Sequence, residues 1–128
     1  MFILLDAQYN SVNSQQSESS ADSIGIVLET ADPERVWNAF RLGITAVSDG
    51  HEVSMFLLGE GVEAEESTAE QFDVRDRMEA FVDAGGDLQA CGTCLEIRDS
   101  EESEYCPVST MSDLLEIVTL SDRVLTIG

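Results

Sequence analysis

Two cysteines stand three residues apart in the stretch Ala90-Cys91-Gly92-Thr93-Cys94. Sulfur–sulfur bonds form and exchange by thiolate attack, and a thiolate forms more readily where backbone N–H groups or a cation face it. The spacing suits a short disulfide, a persulfide passed between neighbours, or part of a metal site. Cys91 is the expected nucleophile or persulfide carrier, and Cys94 its resolving partner or local modulator. Gly92 is expected to keep the approach to them uncrowded. The plainer alternative is a pair of inert, packed thiols.

Cys106 completes a third candidate position, since a loop before the last helix can converge on the same sheet edge as the pair. Three thiols with His51 would make a zinc set. His51 precedes a strand, however, and so belongs at the opposite edge, and neither a metal nor a cofactor is expected. Arg98 lies one turn beyond Cys94, where it either stabilises a thiolate or answers the acidic loop that follows. Gly59-Glu60-Gly61-Val62 follows a strand and either makes a tight turn or points backbone donors at the thiols; it lacks the Lys of a phosphate loop. Trp37, Met55 and Met78 read as packing residues.

The elements that must position these residues are legible from periodicity. Short apolar runs predict strands at Ser23–Leu28, Glu52–Leu58, Asp87–Cys91 and Arg123–Ile127. Asp32 caps a helix with Pro33 at its first position, and Val36, Ala39, Phe40, Gly43, Ile44 and Val47 recur at helical spacing until Asp49-Gly50. Phe72, Met78, Phe81 and Val82 mark a second helix ended by Gly85-Gly86. Gly92 and Thr93 turn the chain into a short helix from Cys94 to Arg98, and a last helix covers roughly Ser112–Leu120. Strands alternating with helices predict an α/β fold: a three-layer α/β/α sandwich with a predominantly parallel central sheet of about five strands, covered on both sides. In such sheets the carboxyl edge carries the site, and Cys91 ends a strand there.

Residues 1–22 read as a flexible polar arm rich in Ser, Gln and Asn, in which Met1–Leu5 either adds an edge strand or stays loose. Residues 23–128 read as a single domain, which is what a chain of 128 residues accommodates. Against six basic residues, all Arg, stand 26 acidic ones, for a net charge of -20. This balance argues against binding nucleic acid or an anionic membrane, and at molar salt, where the Debye length is about 3 Å, its self-repulsion largely vanishes. A salty cytoplasm, such as that of a halophilic archaeon, is the setting it fits. No signal-peptide or membrane-spanning pattern is present, and an odd set of three cysteines favours intracellular redox or sulfur chemistry over a disulfide scaffold.

The segment Leu88-Gln89-Ala90-Cys91-Gly92-Thr93-Cys94-Leu95-Glu96-Ile97-Arg98 resembles the DsrE/DsrF-like family of small sulfur-relay proteins. The likeness extends through Phe56–Val62, Ser112–Glu116 and Ser121–Gly128, and so over nearly the whole chain after residue 23. It implies a compact α/β domain assembled as a dimer, trimer or hexamer, with sulfur carried as a persulfide on the cysteine that matches Cys91. It assigns no equally firm role to Cys94 or Cys106. The polar arm and the intense acidity set this chain apart from the family pattern. The expected function is therefore a sulfur carrier or sulfurtransferase with sulfur donor and acceptor proteins as partners. A thiol-disulfide oxidoreductase using Cys91 and Cys94, or a non-catalytic oligomeric binding or regulatory module, are the alternatives.

Overall fold

The computed structural model describes residues 21–128; the arm expected over residues 1–22 thus lies, apart from Ala21 and Asp22, outside the described residues, as does the Met1–Leu5 strand. Five strands and four α-helices alternate along the chain: β1 (Ile24–Leu28), α1 (Pro33–Ser48), β2 (Val53–Leu57), α2 (Val74–Asp83), β3 (Asp87–Cys91), α3 (Gly92–Ile97), β4 (Val108–Ser109), α4 (Met111–Leu120) and β5 (Arg123–Ile127). The strands form one parallel sheet in the order β4-β3-β2-β1-β5. The result is the expected three-layer α/β/α sandwich.

Right-handed crossovers put the helices of successive strands that step one way on one face, and a helix whose strand steps back on the other. α1 and α2 accordingly share a face, with Phe40 and Phe81 edge to face at 5.8 Å, while α4 links the two sheet edges across the other. Strand side chains alternate between faces. On β3, Leu88 and Ala90 join the α1/α2 core, whereas Cys91 packs with Phe56 and Ile117 under α4. That second core is thin: Leu115, Leu120 and Met111 of α4 and Val124 and Leu125 of β5 remain exposed.

Local chemistry sets the element ends. Asp32 accepts the Arg35 N–H at 3.0 Å ahead of Pro33, and Gly50, at a φ of 98°, turns the chain out of α1. α2 starts at Val74 behind an Asp73 cap, so Phe72 is not a helix residue as the spacing suggested. It lies instead against Trp37, ring centroids 5.3 Å apart and planes tilted by 60°, and Arg41 lies over the same Trp37 ring, 4.5 Å from its centroid. The turn expected at Gly59–Gly61 is the start of a 3-10 segment, Gly59–Ser67, kinked at Glu63. Ahead of β1, Asp22 pairs with Arg123 at 2.6 Å, and Ser23 N–H donates to the Asp122 carboxylate at 2.8 Å. Among the described residues no helix is long and apolar enough to cross a membrane.

Candidate functional site at the carboxyl end of β3

Cys91 is the last residue of β3 and, at the same time, the N-cap of α3: its Sγ accepts the Cys94 N–H at 3.4 Å. Gly92 and Thr93 therefore belong to the helix and do not form a separate turn. Cys94, in the first turn, rests against the same small cluster of Phe56, Cys91 and Ile117, with Leu58, Val62 and Leu114 at its border. All three cysteines are free thiols.

Access to the two sulfurs differs. Cys91 is only 3% exposed, shut between β2 and α4, whereas Cys94 is half-buried. Gly92 does not leave the approach uncrowded as the sequence suggested; a Cβ there would stand 2.9 Å from Val108 Cγ1, so the glycine serves the close passage of β4. Missed in the sequence was the cover over Cys91. Ile117 and Leu114 seal it from α4, and only their helical spacing hinted that the last helix had an apolar face.

A second segment reaches Cys94 from the neighbouring strand. The Gly59 N–H, just beyond β2, donates to Cys94 Sγ at 3.3 Å. Two features hold that loop in place: Leu58 N–H bonds to Leu28 O at 2.9 Å and Gly61 N–H to Leu58 O at 2.9 Å. A Cβ on Gly61 would run into the Leu28 carbonyl, so only glycine lets the loop lie this close over β1. Gly59 itself sits at a φ of 57°, in the left-handed region that glycine occupies without cost. Both readings of Gly59–Val62 hold: the segment turns through the Gly61 N–H to Leu58 O bond, and it aims one backbone donor, Gly59 N–H, at Cys94.

Arg98 lies beside Cys94, where its charge favours the thiolate, but its acidic partner is Glu63 of the 3-10 segment and not the loop that follows it. Its Nη1 donates to the Cys94 carbonyl at 3.4 Å, and its Nε lies 3.7 Å from Glu63 Oε1. Burial pushes the Cys94 thiol above its ordinary range, and a hydrogen bond with Cys91 pushes the same way; the Gly59 N–H and the Arg98 guanidinium pull it back down without cancelling the rise. Backbone N–H groups at this junction thus moderate the rise in the Cys94 pKa and do not produce a depressed one.

Cys106 is not brought to the pair. It is 2% exposed and packs in the α1/α2 core with Leu57, Met78, Ala90 and Leu95, on the opposite face of the sheet from Cys91. Alternation is the reason. Cys106 lies two residues before Val108, which is in register with Ala90, and Ala90 faces away from Cys91. Burial first, then the carboxylates of Asp87, Glu102 and Glu65, push its thiol up to about 12. His51 lies at the amino end of β2, its Nδ1 2.7 Å from the Asp22 carbonyl, far along the strand from the thiols. Among the described residues no group of three or more His, Cys, Asp or Glu side chains is placed to hold a metal ion.

A parallel α/β/α sandwich that carries a thiol pair at the tip of an inner strand defines the class of protein. Residues 22–127 match the DsrE/DsrF-like family, and the chain belongs to it. It is similar to an uncharacterized protein of Methanopyrus kandleri, 30% identical over 112 residues that cover 81% of this chain and 93% of that protein. An uncharacterized protein of Methanocaldococcus jannaschii is 32% identical over 99 residues, covering 73% of this chain and 87% of its own. Among solved structures, the ychN protein from E. coli superposes with a TM-score of 0.71 at 20% identity, over 83% of this chain and 99% of that one. A conserved protein of unknown function from Bacteroides thetaiotaomicron does so at 0.68 and 18% identity, over 83% and 95% of the two chains. At these identities the structural likeness speaks for the fold.

Proposed function

We propose that the protein is a sulfur carrier or sulfurtransferase, which holds sulfane sulfur as a persulfide on Cys91 and passes it to a thiol of a partner protein. The observation that carries this reading is the pairing of a sealed thiol with a reachable one, Cys91 and Cys94, joined by the Cys94 N–H at 3.4 Å. A persulfide is itself a strong nucleophile and is lost to any thiol that reaches it. The packing of Phe56, Leu114 and Ile117 around Cys91 shields such a group between donor and acceptor. Family membership supports the same chemistry. A thiol-disulfide oxidoreductase using the same pair is the second reading, because Cys94 offers a reachable sulfur beside a buried one; a reversible Cys91–Cys94 disulfide formed without a sulfur adduct would favour it.

Donor and acceptor are proteins in this reading, because a shell with a net charge of -20 repels nucleic acid and anionic lipid. A reducing cytoplasm suits three free thiols. The acidity itself is read as adaptation to a salty interior, so the unfolding midpoint is expected to rise from dilute buffer to molar KCl. The exposed apolar residues of α4 and β5 are read as the contact of a homo-oligomer, for which light scattering should give a mass above 13.9 kDa.

The central test is incubation of the reduced protein with an isotopically labelled persulfide donor, followed by alkylation, intact mass and peptide mapping. A one-sulfur gain that maps to the Cys91–Cys94 peptide and is discharged by an acceptor thiol is expected. No gain with any of several donors would overturn the assignment.

A further inference from the structure

We infer that Cys94 is the port of this site: it takes sulfur from the donor and passes it inward to Cys91, with the Gly59 N–H holding the negative charge on the Cys94 sulfur during each exchange. This rests on the sulfur-relay reading above and assigns to its two cysteines an order and to Gly59 and Arg98 a part.

Geometry separates the two sulfurs. Attack on a persulfide requires the incoming S–S bond to line up with the attacking sulfur at contact distance, which at Cys91, walled by Phe56, Ile117 and Leu114, a partner protein achieves only when α4 lifts. Cys94 is open to solvent on one side. It is also the sulfur that a fixed backbone donor addresses, Gly59 N–H at 3.3 Å, from a loop tied to β1 through Leu28. Such a donor is preorganised: it stabilises developing charge without having to move. Arg98 supplies a positive charge on the same side, fixed to the Cys94 carbonyl at 3.4 Å and to Glu63 at 3.7 Å. The same residue also faces inward, since Cys94 N–H points at Cys91 Sγ.

The transfer consists of two thiol–persulfide exchanges with no net oxidation or reduction. In the first, Cys94 thiolate attacks the outer sulfur of a donor R–S–SH; a Cys94–sulfur bond forms, the donor S–S bond breaks, and R–S⁻ departs. In the second, Cys91 sulfur attacks the outer sulfur of the Cys94 persulfide. The Cys91–sulfur bond forms as the Cys94 S–S bond breaks, and the proton of the Cys91 thiol ends on Cys94, its hydrogen-bond partner.

The test is a time course of loading of the full chain with glutathione persulfide labelled in its outer sulfur, quenched by alkylation and mapped by peptide. Cys91→Ser should load at close to the wild-type rate with the label stopped on Cys94. Cys94→Ser and Cys94→Ala, each with unfolding midpoints near wild type, should load Cys91 at least tenfold more slowly. Arg98→Gln should move the pH midpoint of loading upward without changing the rate at its plateau, a response that a purely structural arginine would not give. Loading of Cys91 at the wild-type rate in both Cys94 variants, or loss of loading in Cys91→Ser, would overturn the order while leaving a relay on Cys91 standing. Absence of any adduct in the wild-type chain would instead remove the relay reading and this inference with it.

Discussion

Cys91 and Cys106 are equally hidden, at 3% and 2% exposure, yet they lie on opposite faces of one sheet under covers of very different depth. Cys106 belongs to the larger cluster, which runs from Ile26 through Phe40 and Phe81 to Leu95, and lines a small cavity with Met78 of α2, Val62 of the 3-10 segment and Ser103 of the loop before it. Cys91 shares its cluster of buried residues with Phe56 and Ile117 only, below a helix whose outer side chains stay exposed. Static burial therefore does not rank the two for reactivity. Reaching Cys106 requires opening the packing of α2, the 3-10 segment and the loop around it, whereas reaching Cys91 requires only that α4 lift, and such local opening costs less than global unfolding.

The sharpest way to break this contrast is to remove one large side chain from each face. Phe81→Ala should cost roughly 5 kcal/mol, the upper end for such a change, because Phe81 is fully buried and Gly43 is pressed so close that a Cβ would stand 2.8 Å from its ring. Ile117→Ala should cost about 2 kcal/mol, the low end for an aliphatic truncation, since Ile117 is already 8% exposed. Urea midpoints of the two variants measure both values. Equal losses would mean that the α4 face is as tightly built as the other.

Titration offers a second handle, chiefly on Cys106. Its pKa is about 12 in the fold against 9.0 for an ordinary thiol. Below pH 9 the thiol is neutral in both states and its contribution to stability is complete. Between pH 9 and 12 the unfolded chain releases the proton and the fold retains it, so stability falls with rising pH, by about 4 kcal/mol over the whole window. Cys106→Ala should flatten most of that slope, leaving a remainder from Cys94, whose thiol is also raised, and above pH 10 from Tyr105, whose phenol is raised by burial and then by Glu79 and Glu104. Denaturation across this range checks it; an unchanged slope would place the alkaline loss elsewhere.

The same contrast explains what the sequence disclosed. β3 and β5 fall on the residues that their apolar runs marked, and the Asp32–Pro33 start of α1 was visible because caps are local chemistry. Parallel order followed from alternation of strand and helix. What stayed hidden depends on which face a residue takes once strands pair. Cys106 was drawn toward Cys91 because a strand end and a loop before the last helix can converge on one sheet edge; its separation depends on register with β4, a strand of two residues that no run of apolar side chains announces. Phe72 was assigned to α2 by its spacing, and tertiary packing against Trp37 took it out. The Gly59–Val62 segment carried its glycines openly, but only the fold shows that one of them aims its N–H at Cys94.

The smallest effect predicted is also the one that ties the thin core to function. α4 buries little, so its first turn depends on a capping box: Thr110 Oγ1 accepts the Asp113 N–H at 3.3 Å, and the Asp113 carboxylate accepts the Thr110 N–H at 2.8 Å. Thr110→Ala should cost about 1 kcal/mol. If the helix opens as a unit separate from the main core, the loss falls on that opening, and about 1 kcal/mol multiplies the open population by roughly five. Alkylation of Cys91 by a small reagent should then accelerate about fivefold, amide exchange in α4 should quicken by the same factor, and Cys106 should stay unmodified. Cys106 gaining reactivity alongside Cys91 would show that the two faces open together, and that the sheet does not isolate its two hidden sulfurs.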